Sequence, residues 1–252
     1  MKYILTIVSL FLVFIASKGF ALDSKTITFP SKDGLTVTAD TYITNPESSL
    51  FIILFHQAGW SRGEYNEIAP KLNKLGFNCM AVDQRSGGAV NRVINQTVLE
   101  AEKNKKNTTY LDAKQDIEAS IKYVREKYKP KKLIIWGSSY SAALVLQIAG
   151  EKPNLVDGVL AFAPGEYFIS LGKSSTWVKD SSKNIKVPVF ITSAKGEEGN
   201  WKAIFNLIES GDKVSFVPET KGNHGSRALW SEFADSDDYW KAVNEFLKNY
   251  FI

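Results

Sequence analysis

Leu50-Phe51-Ile52-Ile53-Leu54-Phe55 is six apolar residues in a row, with no polar alternation. A strand with one wet face alternates, whereas a strand covered by helices on both faces does not. The run therefore predicts an inner strand of a parallel sheet. Further strands are expected over 77–82, 132–136, 156–162, 187–192 and 214–217. Between them the apolar residues recur at helical spacing: Tyr65, Ile68, Ala69 and Leu72, then Ala113, Ile117, Ile121, Val124 and Tyr128, then 142–149, 201–208, and finally Trp240, Val243, Phe246, Leu247 and Tyr250. Repeated strand–helix–strand units require right-handed crossovers. Only the start departs from this: 25–29 and 35–39 alternate at period two around Lys32-Asp33-Gly34, the mark of an antiparallel hairpin. The expected class is α/β, a mostly parallel sheet with an N-terminal antiparallel hairpin and helices on both faces. No repeat, linker or low-complexity tract divides the chain, so one domain is expected.

Composition removes several function classes. The 252 residues are 44% hydrophobic and 23% charged, a globular balance. The formal charge of +4 includes Lys2 and Lys18, which lie in a targeting-like segment, and the remainder is too weak for a nucleic-acid partner. One cysteine, Cys79, excludes an internal disulfide framework, and two histidines, His56 and His224, form no cluster with metal-ligand spacing. Neither a metal nor a cofactor is expected. Behind Lys2, residues 4–16 form an apolar run of 13, short of the roughly 20 that cross a bilayer. Small Gly19 and Ala21 follow it. This reads as a signal peptide over 1–21, with export of the domain 22–252 and no stable membrane insertion after cleavage. Nothing in the sequence sets an oligomeric state.

In open sheets of this kind ligands bind at the carboxyl ends of the strands. One such loop reads Gly137-Ser138-Ser139-Tyr140-Ser141. A sharp strand-to-helix turn needs small residues two positions either side of its centre. Gly137 and Ser141 satisfy that around Ser139; Trp136 and Tyr140 fail it around Ser138. Ser139 is the candidate nucleophile. Its base is expected to be His224, in the glycine-flanked loop Lys221-Gly222-Asn223-His224-Gly225 past the last predicted strand. The chain order nucleophile, acid, base disfavours His56, which reads instead as a hydrogen bonder shaping its turn. The acid is expected after the strand ending at Thr192, where Glu197 is the first choice, with its neighbour Glu198 and with Glu166 of the preceding loop as alternatives. Oxyanion donors would be the N–H of Tyr140 and the N–H of Ala58, with Gln57 as second choice, and Trp60 would wall the substrate pocket. A serine-rich helix start and a solvated glutamate pair are the bland alternatives to these roles.

With those residues the chain resembles the α/β-hydrolase superfamily, and within it the small dienelactone-hydrolase-like serine hydrolases. The stretch 137–141 resembles a nucleophile elbow, and His56-Gln57-Ala58-Gly59 an oxyanion loop. Asp83-Gln84-Arg85-Ser86-Gly87-Gly88 resembles a structural Asp-x-Arg-Gly-x-Gly stretch. Three positions depart from the family pattern: Ser141 for glycine, Gln57 for glycine, and glutamate for aspartate as acid. The resemblance implies hydrolysis through an acyl-enzyme. The short connection over 164–186 leaves no room for a large lid domain, and the other sizeable insertion is the polar stretch 87–109. An open site suits a small-molecule ester or lactone. The rival readings are a peptidase of the same fold and a catalytically silent binding module.

Overall fold

The computed structural model describes residues 24–47 and 49–252; the segment read as an export signal lies outside the described residues. The main sheet is built from β1 (Ser24–Pro30), β2 (Thr36–Tyr42), β3 (Leu50–Phe55) and β4 (Asn78–Val82). A small hairpin of β5 (Ala89–Val90) and β6 (Val93–Ile94) stands apart from it. The main sheet then continues with β7 (Lys132–Ser138), β8 (Gly158–Phe162), β9 (Val189–Thr192) and β10 (Lys213–Phe216). The strand order is β1-β2-β4-β3-β7-β8-β9-β10. β2 is antiparallel to β1 and β4, and every other pairing in this sheet is parallel.

The helices are α1 (Ile68–Lys74), α2 (Gln96–Lys103), α3 (Lys114–Lys127), α4 (Tyr140–Glu151), α5 (Trp177–Ser182), α6 (Glu198–Leu207) and α7 (Ser236–Phe251). Successive strand residues point to opposite faces, so β3 feeds two cores. Phe51, Ile53 and Phe55 join Ile117, Leu144, Val178 and Trp201 on the face of α3 to α6. Ile52 and Leu54 join Leu72, Trp240, Val243 and Phe246 on the face of α1 and α7. This two-sided burial is the physical reason the run at 50–55 carries no polar residue.

Two segments differ from the sequence expectation. Tyr65 ends a short 3-10 turn, Arg62–Tyr65, and α1 starts only at Ile68. The polar stretch 87–109 is not a bare insertion: it contains the β5–β6 hairpin and α2, whose start is capped by Asn95 Oδ1 accepting the Val98 N–H at 2.9 Å. The hairpin turns through Asn91 and Arg92 at φ 51° and 63°, so no glycine announces it.

Buried and half-buried ion pairs fasten the carboxyl edge of the sheet. Arg85, just past β4, donates to Asp116 of α3 at 2.7 Å and to Asp33 of the first hairpin at 2.9 Å. Asp83 accepts the Arg62 N–H and the Gln96 N–H, each at 2.8 Å, and the Arg62 guanidinium at 2.6 Å. The first of these side-chain sets ties the hairpin to α3, and the second ties the 3-10 turn to α2. Among the described residues no helix is long and apolar enough to cross a membrane.

Candidate active site

Ser139 stands between β7 and α4 at φ 59°, ψ −121°, a conformation that costs an L-residue about 1–3 kcal/mol. The surroundings hold it there. The Ser139 N–H donates to the Phe162 carbonyl at 2.7 Å, and the Ala143 N–H donates to the Ser139 carbonyl at 3.2 Å. A Cβ on Gly137 would lie 2.4 Å from the Ser141 carbonyl carbon, so only glycine fits where the helix folds back on the strand. Ser141, in place of a second glycine, has a task of its own. Its hydroxyl donates to the His56 carbonyl at 2.5 Å and accepts from the Gln84 amide at 2.7 Å, joining the elbow to the loop after β3.

That loop is oriented by His56. The ring is wholly buried, and burial pushes its pKa down. Nε2 faces two donors, the Gln84 N–H at 3.0 Å and the Asn95 amide at 3.1 Å, so the proton sits on Nδ1 and is donated to the Gln57 carbonyl at 2.8 Å. His56 is thus a neutral brace. A trans peptide points its N–H opposite its C=O; with the Gln57 carbonyl held toward His56, the Ala58 N–H faces the other way. The Gln57 N–H is itself spent on Glu64 Oε2 at 2.8 Å. Among the described residues, neither the Ala58 N–H nor the Tyr140 N–H donates to a protein acceptor. Trp60 packs on Trp230, ring centroids 5.3 Å apart, with the Arg227 guanidinium over it.

His224 Nδ1 lies 2.6 Å from Glu197 Oε1. Glu197 ends a 3-10 turn, Lys195–Glu197, and its other oxygen accepts the Ala194 N–H at 3.3 Å. The two alternative carboxylates are engaged elsewhere. Glu198 pairs with Lys202 at 2.8 Å, and Glu166 accepts the N–H groups of Val178 and Lys179 at 2.9 Å each, capping α5. The His224 loop is pressed against the elbow. The Ser226 N–H donates to Ser138 Oγ at 2.9 Å, and Gly225, at φ 73°, has no room for a Cβ, which would sit 2.5 Å from that same oxygen.

Two side chains of this region are missed by sequence reasoning. Tyr167, in the loop after β8, donates its O–H to the Ala163 carbonyl at 2.8 Å, and its phenol faces the Ser139 hydroxyl. Burial, helped by the Glu197 charge and opposed by that serine, pushes its pKa up to about 12. Glu64 is the other. A glutamate in a turn reads as a solvated side chain, yet this one is fully buried. Among the described residues no group of three or more His, Cys, Asp or Glu side chains is placed to hold a metal ion.

An eight-stranded, mostly parallel sheet with a strained serine at the β7–α4 junction and a carboxylate-bound histidine after β10 is the architecture of the α/β-hydrolases. The comparisons agree with it. Residues 46–169 match the family described as serine aminopeptidase, S33. Among solved structures, the esterase Pf2001 of Pyrococcus furiosus superposes with a TM-score of 0.69 at 18% identity, covering 91% of this chain and 93% of its own. A thermostable carboxyl esterase from Bacillus coagulans gives 0.70 at 13% identity, covering 91% and 99%. A dienelactone hydrolase from Anabaena variabilis gives 0.67 at 11% identity, covering 90% and 97%. No curated protein sequence matches significantly. The chain has the α/β-hydrolase fold.

Proposed function

We propose that the protein is an exported serine hydrolase that cleaves a small carboxylic ester or lactone through an acyl-enzyme. The observation that carries this reading is the coincidence of the strained Ser139 with a histidine whose Nδ1 is held by Glu197 at 2.6 Å. In this mechanism Ser139 Oγ attacks the substrate carbonyl as His224 Nε2 takes its proton. Glu197 holds the Nδ1–H tautomer and stabilises the imidazolium. The N–H groups of Ala58 and Tyr140 meet the oxyanion. Collapse breaks the acyl–oxygen bond, His224 protonates the departing alkoxide, and water, deprotonated by His224, then releases the acid from Ser139. A lactone follows the same steps with its leaving group tethered to the acid.

A second reading, a peptidase, is favoured by the serine aminopeptidase match over 46–169. The mature chain 22–252 should be tested against aryl esters, lactones and short peptide amides, with a fluorophosphonate probe and peptide mapping of the adduct. The expected result is a label on Ser139 and turnover of esters or lactones but not of amides. A label with amide turnover alone would select the peptidase. No label, together with no turnover of any of the three, would leave the binding-module reading.

A further inference from the structure

Glu64 sits in the 3-10 turn between β3 and α1, behind the site and out of contact with solvent. Its two carboxylate oxygens are shared between two loops. Oε2 accepts the N–H of Gln57, the residue before the proposed oxyanion donor Ala58, at 2.8 Å. Oε1 accepts the hydroxyl of Ser138, the residue before the proposed nucleophile, at 2.7 Å. Ser138 Oγ in turn accepts the N–H of Ser226, two residues past the proposed base, at 2.9 Å. The Glu64 carbonyl takes the Trp230 indole N–H at 2.9 Å, further along the same loop. One carboxylate thus joins the three segments that the reaction needs in register, each through a neighbour of a reacting residue.

We infer that Glu64 is a positioning residue whose ionised carboxylate fixes the oxyanion loop, the elbow and the base loop relative to one another, so that hydrolysis requires its deprotonation as well as that of His224. The inference rests on the roles assigned above to Ser139, His224 and Ala58. A carboxylate is an acceptor only, and both of its oxygens here face hydrogens. Protonated, Glu64 either turns a hydrogen against the Gln57 N–H or reverses the Ser138 bond. The reversal strips the Ser138 hydrogen of its acceptor while its oxygen already holds the Ser226 N–H.

Burial pushes the Glu64 carboxyl up to about 7, against the Ser138 hydroxyl, the Gln57 N–H, the nearby His224 and the Ser226 N–H. The titratable side chains facing it are Tyr65 on its own turn, Tyr140 on α4 and His224. Arg62 is committed to Asp40 and Asp83, Arg227 lies over Trp60, and His56 stays neutral. The proton on Glu64 therefore exchanges across the neutral range, where the ties it controls open and close.

The test is the dependence of log kcat on pH for phenyl acetate, in the wild-type chain, Glu64→Gln and Ser138→Ala. Two required deprotonations give the wild type an acid limb of slope approaching two. Glu64→Gln keeps the volume and removes the titration. Its limb should fall to slope one, with kcat at pH 8 lower by about tenfold or more and KM within about twofold. Ser138→Ala takes one donor from the carboxylate and so favours its protonated form; the limb should move to higher pH by about one unit. A Glu64→Gln limb identical to the wild type, or a Ser138→Ala limb that does not move, would overturn the inference. If Glu64→Gln loses its near-ultraviolet circular dichroism, the Ser138→Ala limb alone decides. Turnover surviving in Ser139→Ala is a separate outcome: it overturns the reading of the site itself, whatever the limb does.

Discussion

Replacing Ser139 by alanine is expected to lower kcat on an activated ester by about six orders of magnitude, the loss seen when a hydrolase nucleophile is removed from an otherwise intact site. The fold should be indifferent to the change. Alanine occupies the same strained backbone at φ 59° as serine does, and the bonds that hold the turn are made by the Ser139 N–H and carbonyl, not by its hydroxyl. The melting temperature should stay within about 2 degrees of the wild type, a shift worth about 1 kcal/mol at most for a domain of this size. Ser138→Ala should keep the fluorophosphonate label, because Ser138 is buried with its hydroxyl on Glu64. A label that follows Ser138 instead would refute the assignment.

Glu197→Gln is expected to cost about four orders of magnitude in kcat, as loss of the orienting charge does in established Ser-His-Asp triads. The amide matches the carboxylate in volume but presents either a hydrogen or a neutral oxygen to Nδ1, so the imidazolium loses its partner charge and the wrong tautomer becomes competitive. Glu198→Gln should leave the rate nearly unchanged, since that side chain belongs to a helical ion pair with Lys202. Glu166→Gln should show its effect in stability, by about 1 kcal/mol, because it caps α5. Turnover and melting curves of the three variants separate these roles. A collapse of rate in Glu166→Gln or Glu198→Gln, with Glu197→Gln near normal, would move the acid to that residue.

The inner strands and the serine turn are legible in the sequence because each rests on local chemistry. Burial on both faces forbids polar residues at 50–55, and the turn admits only a small residue at 137. The hydrogen-bond network behind the site has no local signature. Glu64 and Ser138 are 74 positions apart, Ser138 and Ser226 are 88, and each is an ordinary turn or strand residue until the sheet brings them together. The choice among Glu166, Glu197 and Glu198 has the same character. All three follow strands at the correct edge, and only the packing of α5 and α6 decides which carboxylate faces His224. Ser141 appears as a departure from the family pattern in sequence, yet its hydroxyl bridges the His56 carbonyl and the Gln84 amide, a reason a five-residue motif cannot contain. Within 87–109, Asn95 is a recognisable cap, but the turn before it uses Asn91 and Arg92 at positive φ without a glycine to mark it.

Cys79 lies in β4, paired with Tyr42 of β2 on one side and Ile52 of β3 on the other, and burial pushes its thiol well above the ordinary range. A thiol reagent can reach it only when the middle of the sheet comes apart. The rate of disulfide exchange with an aromatic disulfide reagent is therefore a clock for that opening, read from a single native atom with no engineered label. Any compound that binds only the closed molecule slows the clock by the factor 1 + [L]/Kd. Acids, alcohols and lactones offered to the Ser139→Ala chain should thus declare themselves as ligands by protecting one sulfur on the far side of the sheet's core, before a single turnover has been measured.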